Sequence, residues 1–153
     1  MEEFVIEPLA RSAILDAYPL IQLTDPQMHL QVWKTRALAA IGRGPSGPHG
    51  ILVARRRTRR HICGLVWFRT ERDFVQGRVL VASHLVAVDI LNPRGITLAL
   101  VKALAARARQ QNCKLVRLVV AEGAAMAEML PEAVLEAEPR SRVDRFTNLS
   151  FAT

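Results

Sequence analysis

The stretch RVLVASHLVAVDILNPRGITLALVKALAARARQQ, residues 78–111, decides the fold of this chain. Residues 79–90 are almost continuously apolar, which predicts a strand buried on both faces. A Pro-Arg-Gly turn follows at residues 93–95, and after it come good helix formers with apolar residues at three- and four-residue spacing. Because backbone N–H groups at a helix start point toward an anion, this segment predicts an anion-binding strand, turn and helix.

Length and composition predict one globular domain over residues 1–153. Half of the residues are hydrophobic and 23% are charged, which excludes a disordered or fibrous chain. No apolar run approaches the roughly 20 residues that a membrane span needs. The acidic start MEEF lacks the basic and apolar regions of a signal peptide, so we expect no membrane association and a cytoplasmic location.

The two cysteines stand alone in apolar surroundings. Neither Cys63 nor Cys113 has a CxxC or His-spaced partner. This predicts buried free thiols rather than a disulfide, and no metal site.

The charge is the compositional oddity, because 21 Lys and Arg against 14 Asp and Glu give a formal charge of +7. Such a field attracts anions of many kinds, although arginine-rich composition is also common in proteins from GC-rich genomes. The run ARRRTRR at residues 54–60 resembles a nucleic-acid patch on charge alone. No aromatic platform is interleaved with it, so nucleic-acid binding is possible but an exposed hairpin turn is favoured.

Apolar patterns and turn signals predict the other elements. Thr24-Asp25-Pro26 predicts the start of the second helix, and Ser12 is a candidate cap for the first. Trp33, Trp67 and Phe68 fall on apolar stripes and are predicted to be core. The predicted strands are 4–8, 51–54, 62–69, 115–121, 133–137 and 145–151, and the predicted helices are 13–23, 26–41 and 123–130.

This order predicts an α/β chain with a mixed central sheet. The N-terminal half is antiparallel, and a parallel strand-helix-strand crossover lies in the C-terminal half. The long helix is expected to end at Asn112.

The element order and the central turn resemble the GNAT superfamily of N-acetyltransferases over nearly the whole chain. In that family a turn patterned Gln/Arg-x-x-Gly-x-Gly/Ala binds the pyrophosphate of acetyl-CoA through backbone N–H groups. Here Asn92, Gly95 and Thr97 stand at its three defined positions. The resemblance implies a GNAT-like sheet, acetyl-CoA as co-substrate, and cofactor binding by Leu85, Val86, Val88, Asn92, Arg94, Gly95, Ile96 and Thr97.

The departures from the pattern are informative. Pro93 presets the first helical turn with Asn92 as its cap, and the Cβ of Thr97 is expected to narrow the anion site. Arg94 is unfavourable at the positive end of a helix unless an anion lies there, where it is expected to assist at a phosphate. A second family motif is matched weakly by residues 122–134, and Met129 replaces the tyrosine that often acts as general acid.

Two residues are the catalytic candidates. His84 can act as a base because its unperturbed pKa lies near neutrality, although a lone His in an apolar strand is more often structural. Glu122 follows a strand, where ligands bind in α/β sheets, and helix capping explains it equally well. Glu71, Asp73 and Asp89 are further base candidates.

The resemblance thus implies an enzyme that moves the acetyl group of acetyl-CoA to an amine by direct attack. The alternative is a GNAT-like binding module without activity that uses its basic surface for nucleic acid or a protein partner. A homodimer is possible.

Overall fold

A computed structural model describes residues 3–42, 44, 47–119 and, as backbone, 148–152. It contains six strands and three helices in these residues, with a short 3-10 turn at Arg11–Ala13. In chain order they are β1 Phe4–Pro8, α1 Ile14–Thr24, α2 Leu30–Ile41, β2 His49–Arg56, β3 Ile62–Asp73, β4 Gly77–Ala87, α3 Pro93–Gln110, β5 Leu115–Val119 and β6 Asn148–Ala152.

The six strands form one sheet in chain order, from β1 to β6. Every neighbouring pair is antiparallel except β4 and β5, which are parallel and are joined through α3. This confirms the predicted mixed sheet with a crossover in the second half. The predicted helix 123–130 and strand 133–137 lie outside the described residues.

The sheet is covered on both faces because its buried residues alternate. Leu52 and Ala54 of β2 pack in the cluster that contains α3, whereas Ile51 and Val53 pack in the cluster that contains α1 and α2. A strand has a side-chain period of two, so alternation of this kind places the helices on opposite sides. The core of the described chain therefore has two layers with the sheet between them.

A β-bulge in β4 interrupts this alternation. Leu65 pairs with Val86 but Trp67 pairs with Ser83, so β4 carries one residue more than β3 across this interval. The extra residue is at His84, whose φ of 54° lies in the left-handed region. Because a bulge re-aims the side chains around it, Ser83 and His84 both face the side of α1 and α2.

Several predicted boundaries are wrong at their ends. α2 begins at Leu30 because Asp25 does not cap it; the Asp25 carboxylate accepts the N–H of Gln27, at 3.1 Å, and closes a separate turn. α1 follows a 3-10 turn and has no side-chain cap from Ser12. β4 ends at Ala87, so Ile90, predicted to be buried, is fully exposed.

The predicted end of α3 and the predicted state of the two cysteines are confirmed. Asn112 follows α3 with a φ of 57°. Cys63 and Cys113 are free and buried, and burial raises the pKa of both thiols. No helix in the described ranges is long and apolar enough to span a membrane.

Candidate active site

β4 extends beyond the segment that pairs with β5 among the described residues. These two strands pair from Val79–Leu115 to Ala82–Leu118. β4 continues to Ala87 beside β3. The bulge at His84 therefore lies just beyond the last described β4–β5 pair.

A groove of about 590 Å³ lies on the adjoining face, between the sheet and the helices α1 and α2. Its apolar walls include Met28, Trp33 and Trp67. Its polar lining includes Arg36 of α2, His49 of β2, Arg69 of β3, and Ser83 and His84 of β4.

Aromatic rings hold one end of the groove in place. The Trp33 Nε1–H donates to the Ile14 carbonyl at 2.8 Å, and this ring meets Trp67 edge to face with a centroid distance of 6.2 Å. Trp33 and Phe68 are buried as predicted. Trp67 packs against the core cluster on the α1 and α2 side but is only half-buried, because its ring also forms part of the groove wall.

His84 is exposed to this groove, with its ring 6.4 Å from that of Trp67. Desolvation by the surrounding protein atoms lowers the pKa of His84 below its ordinary value; nearby Asp25 opposes this shift and Arg36 adds to it. The imidazole is therefore neutral at pH 7 and can accept a proton.

The N-terminus of α3 lies at the end of the segment that follows β4, and its capping is already complete. The Asn92 Oδ1 accepts the Gly95 N–H at 2.9 Å, and its Nδ2 donates to the Glu3 carboxylate at 3.0 Å. A Cβ at Gly95 would lie 2.3 Å from Asn92 Nδ2. A side chain at this position would therefore displace the Asn92 amide, whose bond to the Gly95 N–H confirms the predicted cap.

Carboxylates surround the same helix start. Arg56 forms ion pairs with both Glu3 and Asp89, and the Asp89 carboxylate accepts the Leu91 N–H at 3.2 Å. Burial alone would raise the pKa of Asp89, but these hydrogen bonds hold it below its ordinary value. The N–H groups of Leu91 and Gly95 are therefore satisfied by the chain's own side chains, and an incoming phosphate must displace the Asn92 amide to reach Gly95.

The structure divides the predicted cofactor-binding residues into two groups. Ile96, Thr97 and Val86 have buried side chains; the Thr97 hydroxyl donates to the Pro93 carbonyl at 3.0 Å. The Thr97 side chain therefore packs against its own helix. The other group is partly or fully exposed and consists of Leu85, Val88, Asn92, Arg94 and Gly95.

None of the three further base candidates among the described residues lines the groove. Glu71 pairs with Arg69, and Asp73 accepts the N–H groups of the turn that follows it. Asp89 pairs with Arg56. Glu122 and the second motif with Met129 lie outside the described residues.

The sheet order and the single parallel β4–β5 pair match the GNAT fold, and comparison with solved structures shows this fold. The chain is 18% identical to an aminoglycoside 6'-N-acetyltransferase from Acinetobacter baumannii, with 86% and 88% of the two chains covered and a TM-score of 0.71. Glucosamine-6-phosphate N-acetyltransferase from Arabidopsis thaliana is 16% identical, with 85% and 89% covered and a TM-score of 0.66. An aminoglycoside N-acetyltransferase in complex with CoA is 11% identical, with 86% of each chain covered and a TM-score of 0.71. No protein-family model and no curated protein sequence matches the chain.

Sequence reasoning missed Glu3, Arg36 and the groove position of Trp67. No sequence pattern distinguishes Arg36 from the other basic residues, because its role depends on where α2 packs. The bulge had a weak signal: Ser-His interrupts the apolar run of β4 at the point where the alternation changes.

Proposed function

We propose that this chain is an N-acetyltransferase that moves the acetyl group of acetyl-CoA to an amine by direct attack. The observation that carries the proposal is the position of His84. An exposed imidazole with a lowered pKa lies at the end of a groove, just beyond the last described β4–β5 pair. An amine bound in the groove and a thioester bound beside the end of β4 would meet at this residue.

The residues that follow β4 fit acetyl-CoA with one rearrangement. Val88, Ile90 and Leu91 present exposed apolar surface after β4, which suits the pantetheine arm beside the backbone of Leu85 and Val86. The helix start with Arg94 suits the pyrophosphate once the Asn92 amide has moved from Gly95. Gly95 would then offer its N–H at the start of α3, whereas the Ile96 N–H donates to the Asn92 carbonyl at 3.4 Å.

In this proposal His84 accepts a proton from the acceptor ammonium. The freed amine nitrogen attacks the acetyl carbonyl carbon and the C–N bond forms; the nitrogen then loses its second proton to water as the C–S bond breaks. The chain has a single tyrosine, Tyr18, whose hydroxyl donates to the Met28 carbonyl at 2.7 Å. Because this hydroxyl is engaged in packing α1 against the α1–α2 turn, we assign the proton of the leaving thiolate to water. Glu122 remains a second candidate base.

The names of the structural neighbours support an amine acceptor. They include a glucosamine-6-phosphate N-acetyltransferase and aminoglycoside N-acetyltransferases, all of which act on amino groups.

Calorimetric titration with acetyl-CoA tests the proposal, and thiol release in the presence of amines tests turnover. We expect saturable binding and thiol release that depends on the amine. The absence of detectable binding at millimolar acetyl-CoA would reject the proposal.

One observation favours the alternative of a non-enzymatic binding module: the start of α3 is capped by Asn92 and ringed by Glu3 and Asp89. A nucleic-acid partner is less well supported, because Arg55 and Arg56 of the basic run are paired with carboxylates. Salt-dependent retention of nucleic acid without acetyl-CoA binding would favour this alternative.

A further inference from the structure

The ionisable groups that line the groove beside His84 are all basic. Arg36 and Arg69 contribute two guanidinium groups, and His49 and His84 contribute two imidazoles. Among the described residues that line it, none is Asp or Glu. A cleft lined by charges of one sign focuses the field, so this groove attracts anions and repels additional positive charge.

The two arginines differ in whether they already form an ion pair. Arg69 forms an ion pair with Glu71. Arg36 is exposed and forms no salt bridge with any residue in the described ranges. Arg36 is therefore the group in the groove that is best able to bind an anion, and a planar guanidinium suits both carboxylate and phosphate.

The surroundings of Arg36 also constrain the rest of the ligand. Arg36 lies on the helical wall, whereas His84 lies on the sheet wall, and the half-buried ring of Trp67 lies between the walls in the same groove. Asp25 is the carboxylate that acts on His84, but it belongs to the α1–α2 turn and does not line the groove. A ligand with several positive charges finds no carboxylate partner in the described lining.

We propose that the acceptor is a small amine that also carries a carboxylate or phosphate group. Arg36 binds the anionic group, and the amine lies at His84. This inference rests on the proposed acetyl transfer, because it specifies the acceptor of that reaction.

A panel of paired amines tests the inference on the full chain with saturating acetyl-CoA. O-Phosphoethanolamine against ethanolamine tests phosphate, L-phenylalanine against L-phenylalaninamide tests carboxylate, and spermidine supplies a polycation. We expect the anionic member of at least one pair to have a kcat/KM roughly 10- to 100-fold higher than its neutral partner, the range for one charge-assisted hydrogen bond. The pair that responds identifies the anionic group.

The variant Arg36→Gln should remove most of this preference, so that the ratio of kcat/KM between the two members of the responding pair falls toward one. Arg59→Gln is the matched control. Arg59 is exposed in the turn at the other end of the β2–β3 hairpin, and its loss removes the same single charge from the chain. We expect this control to retain the preference.

The inference is wrong if neutral amines or spermidine are preferred, or if Arg36→Gln and Arg59→Gln behave alike. Acetyl transfer would still stand in that case. If no amine is acetylated, the proposed function fails, and calorimetric binding of the same amines decides the inference. Binding of the anionic probes that is lost in Arg36→Gln would support the groove as an anion site, and equal or absent binding of both members of each pair would overturn it.

Discussion

The groove beside His84 and the N-terminus of α3 both carry polar groups that can bind a ligand, but they differ in how those groups are used. At the helix start, Asn92 caps Gly95, and Arg56 bridges Glu3 and Asp89. In the groove, Arg36 and His84 face open space. The helix start is satisfied by the chain itself, whereas the groove is not.

The two regions therefore differ both in whether they resemble a family motif and in whether their polar groups are available to a ligand. The helix start is the part of the chain that resembles a family motif, yet a ligand must compete there with internal hydrogen bonds. The groove matches no motif, yet Arg36 can bind a ligand there without breaking a salt bridge to any described residue. Four experiments test this contrast.

His84→Asn should have the largest effect, because it removes the proton acceptor from the groove. We expect kcat/KM for acetyl transfer to fall by about 10²- to 10⁴-fold, the usual contribution of a general base. Asparagine tolerates the positive φ at this position, so the fold should persist. Steady-state kinetics, with thermal unfolding and acetyl-CoA titration as controls, measures the effect.

Activity within about twofold of the unmodified chain would exclude His84 as the base. Glu122→Gln would then become the next variant to measure.

Gly64→Ala should disturb the packing of α3, the helix whose N-terminus is compared with the groove. A Cβ at Gly64 would lie 2.5 Å from Cγ2 of Ile96 and 3.2 Å from Cδ1 of Leu100, so α3 must move away from β3. Overpacking of this kind costs about 1–3 kcal/mol, which denaturant unfolding can measure. In the control Gly50→Ala, the new Cβ would meet the Phe68 ring at 3.2 Å, a smaller overlap. Equal losses of stability would show that α3 is not held closely at Gly64.

The pH dependence of acetyl transfer tests the role of His84 in the groove. Protonated His84 cannot act as a base, so kcat/KM should fall about tenfold per unit as pH drops below the pKa of His84. That pKa lies below 6.5 because of desolvation, with Arg36 adding to the shift and Asp25 opposing it, so a plateau is expected at pH 7. Without a tyrosine acid, the plateau should continue through the pH range in which tyrosine titrates. A midpoint above 6.5, or an acid limb retained in His84→Asn, would contradict the assignment.

Asn92→Ala should have the smallest effect. Loss of the cap should cost about 1 kcal/mol of unfolding free energy, while the affinity for acetyl-CoA should stay equal or rise because the Gly95 N–H is released. Asn92→Ser keeps a shorter capping side chain, so its stability should lie between that of the unmodified chain and that of Asn92→Ala. A tenfold loss of acetyl-CoA affinity in Asn92→Ala would show that Asn92 contacts the ligand directly.

Local patterns were sufficient to predict the order of elements. Alternating and continuous apolar runs predicted the strands, and Asn92 with Pro93 predicted the start of α3. The error at the start of α2 arose because a short polar side chain can either cap a helix or close a turn. Asp25 satisfies a turn instead of a helix, and the sequence does not distinguish these outcomes.

The site was less predictable, because it depends on register and on contacts between distant segments. His84 was identified as a candidate base from its chemistry, but the face of the sheet to which its side chain points depends on the bulge opposite Val66. Glu3 bonds to a residue 89 positions away, and Arg36 gains its role from the packing of α2. Neither relation leaves a local pattern.

The left-handed backbone at His84 also restricts which amino acids can occupy that position. Glycine adopts this conformation freely, and asparagine, aspartate and histidine adopt it more often than other residues, whereas branched side chains are strained there. Most of the permitted side chains can accept a hydrogen bond or a proton. Mutation at this point of the sheet is therefore confined to a small set of amino acids, which favours the exchange of one polar chemistry for another over its loss.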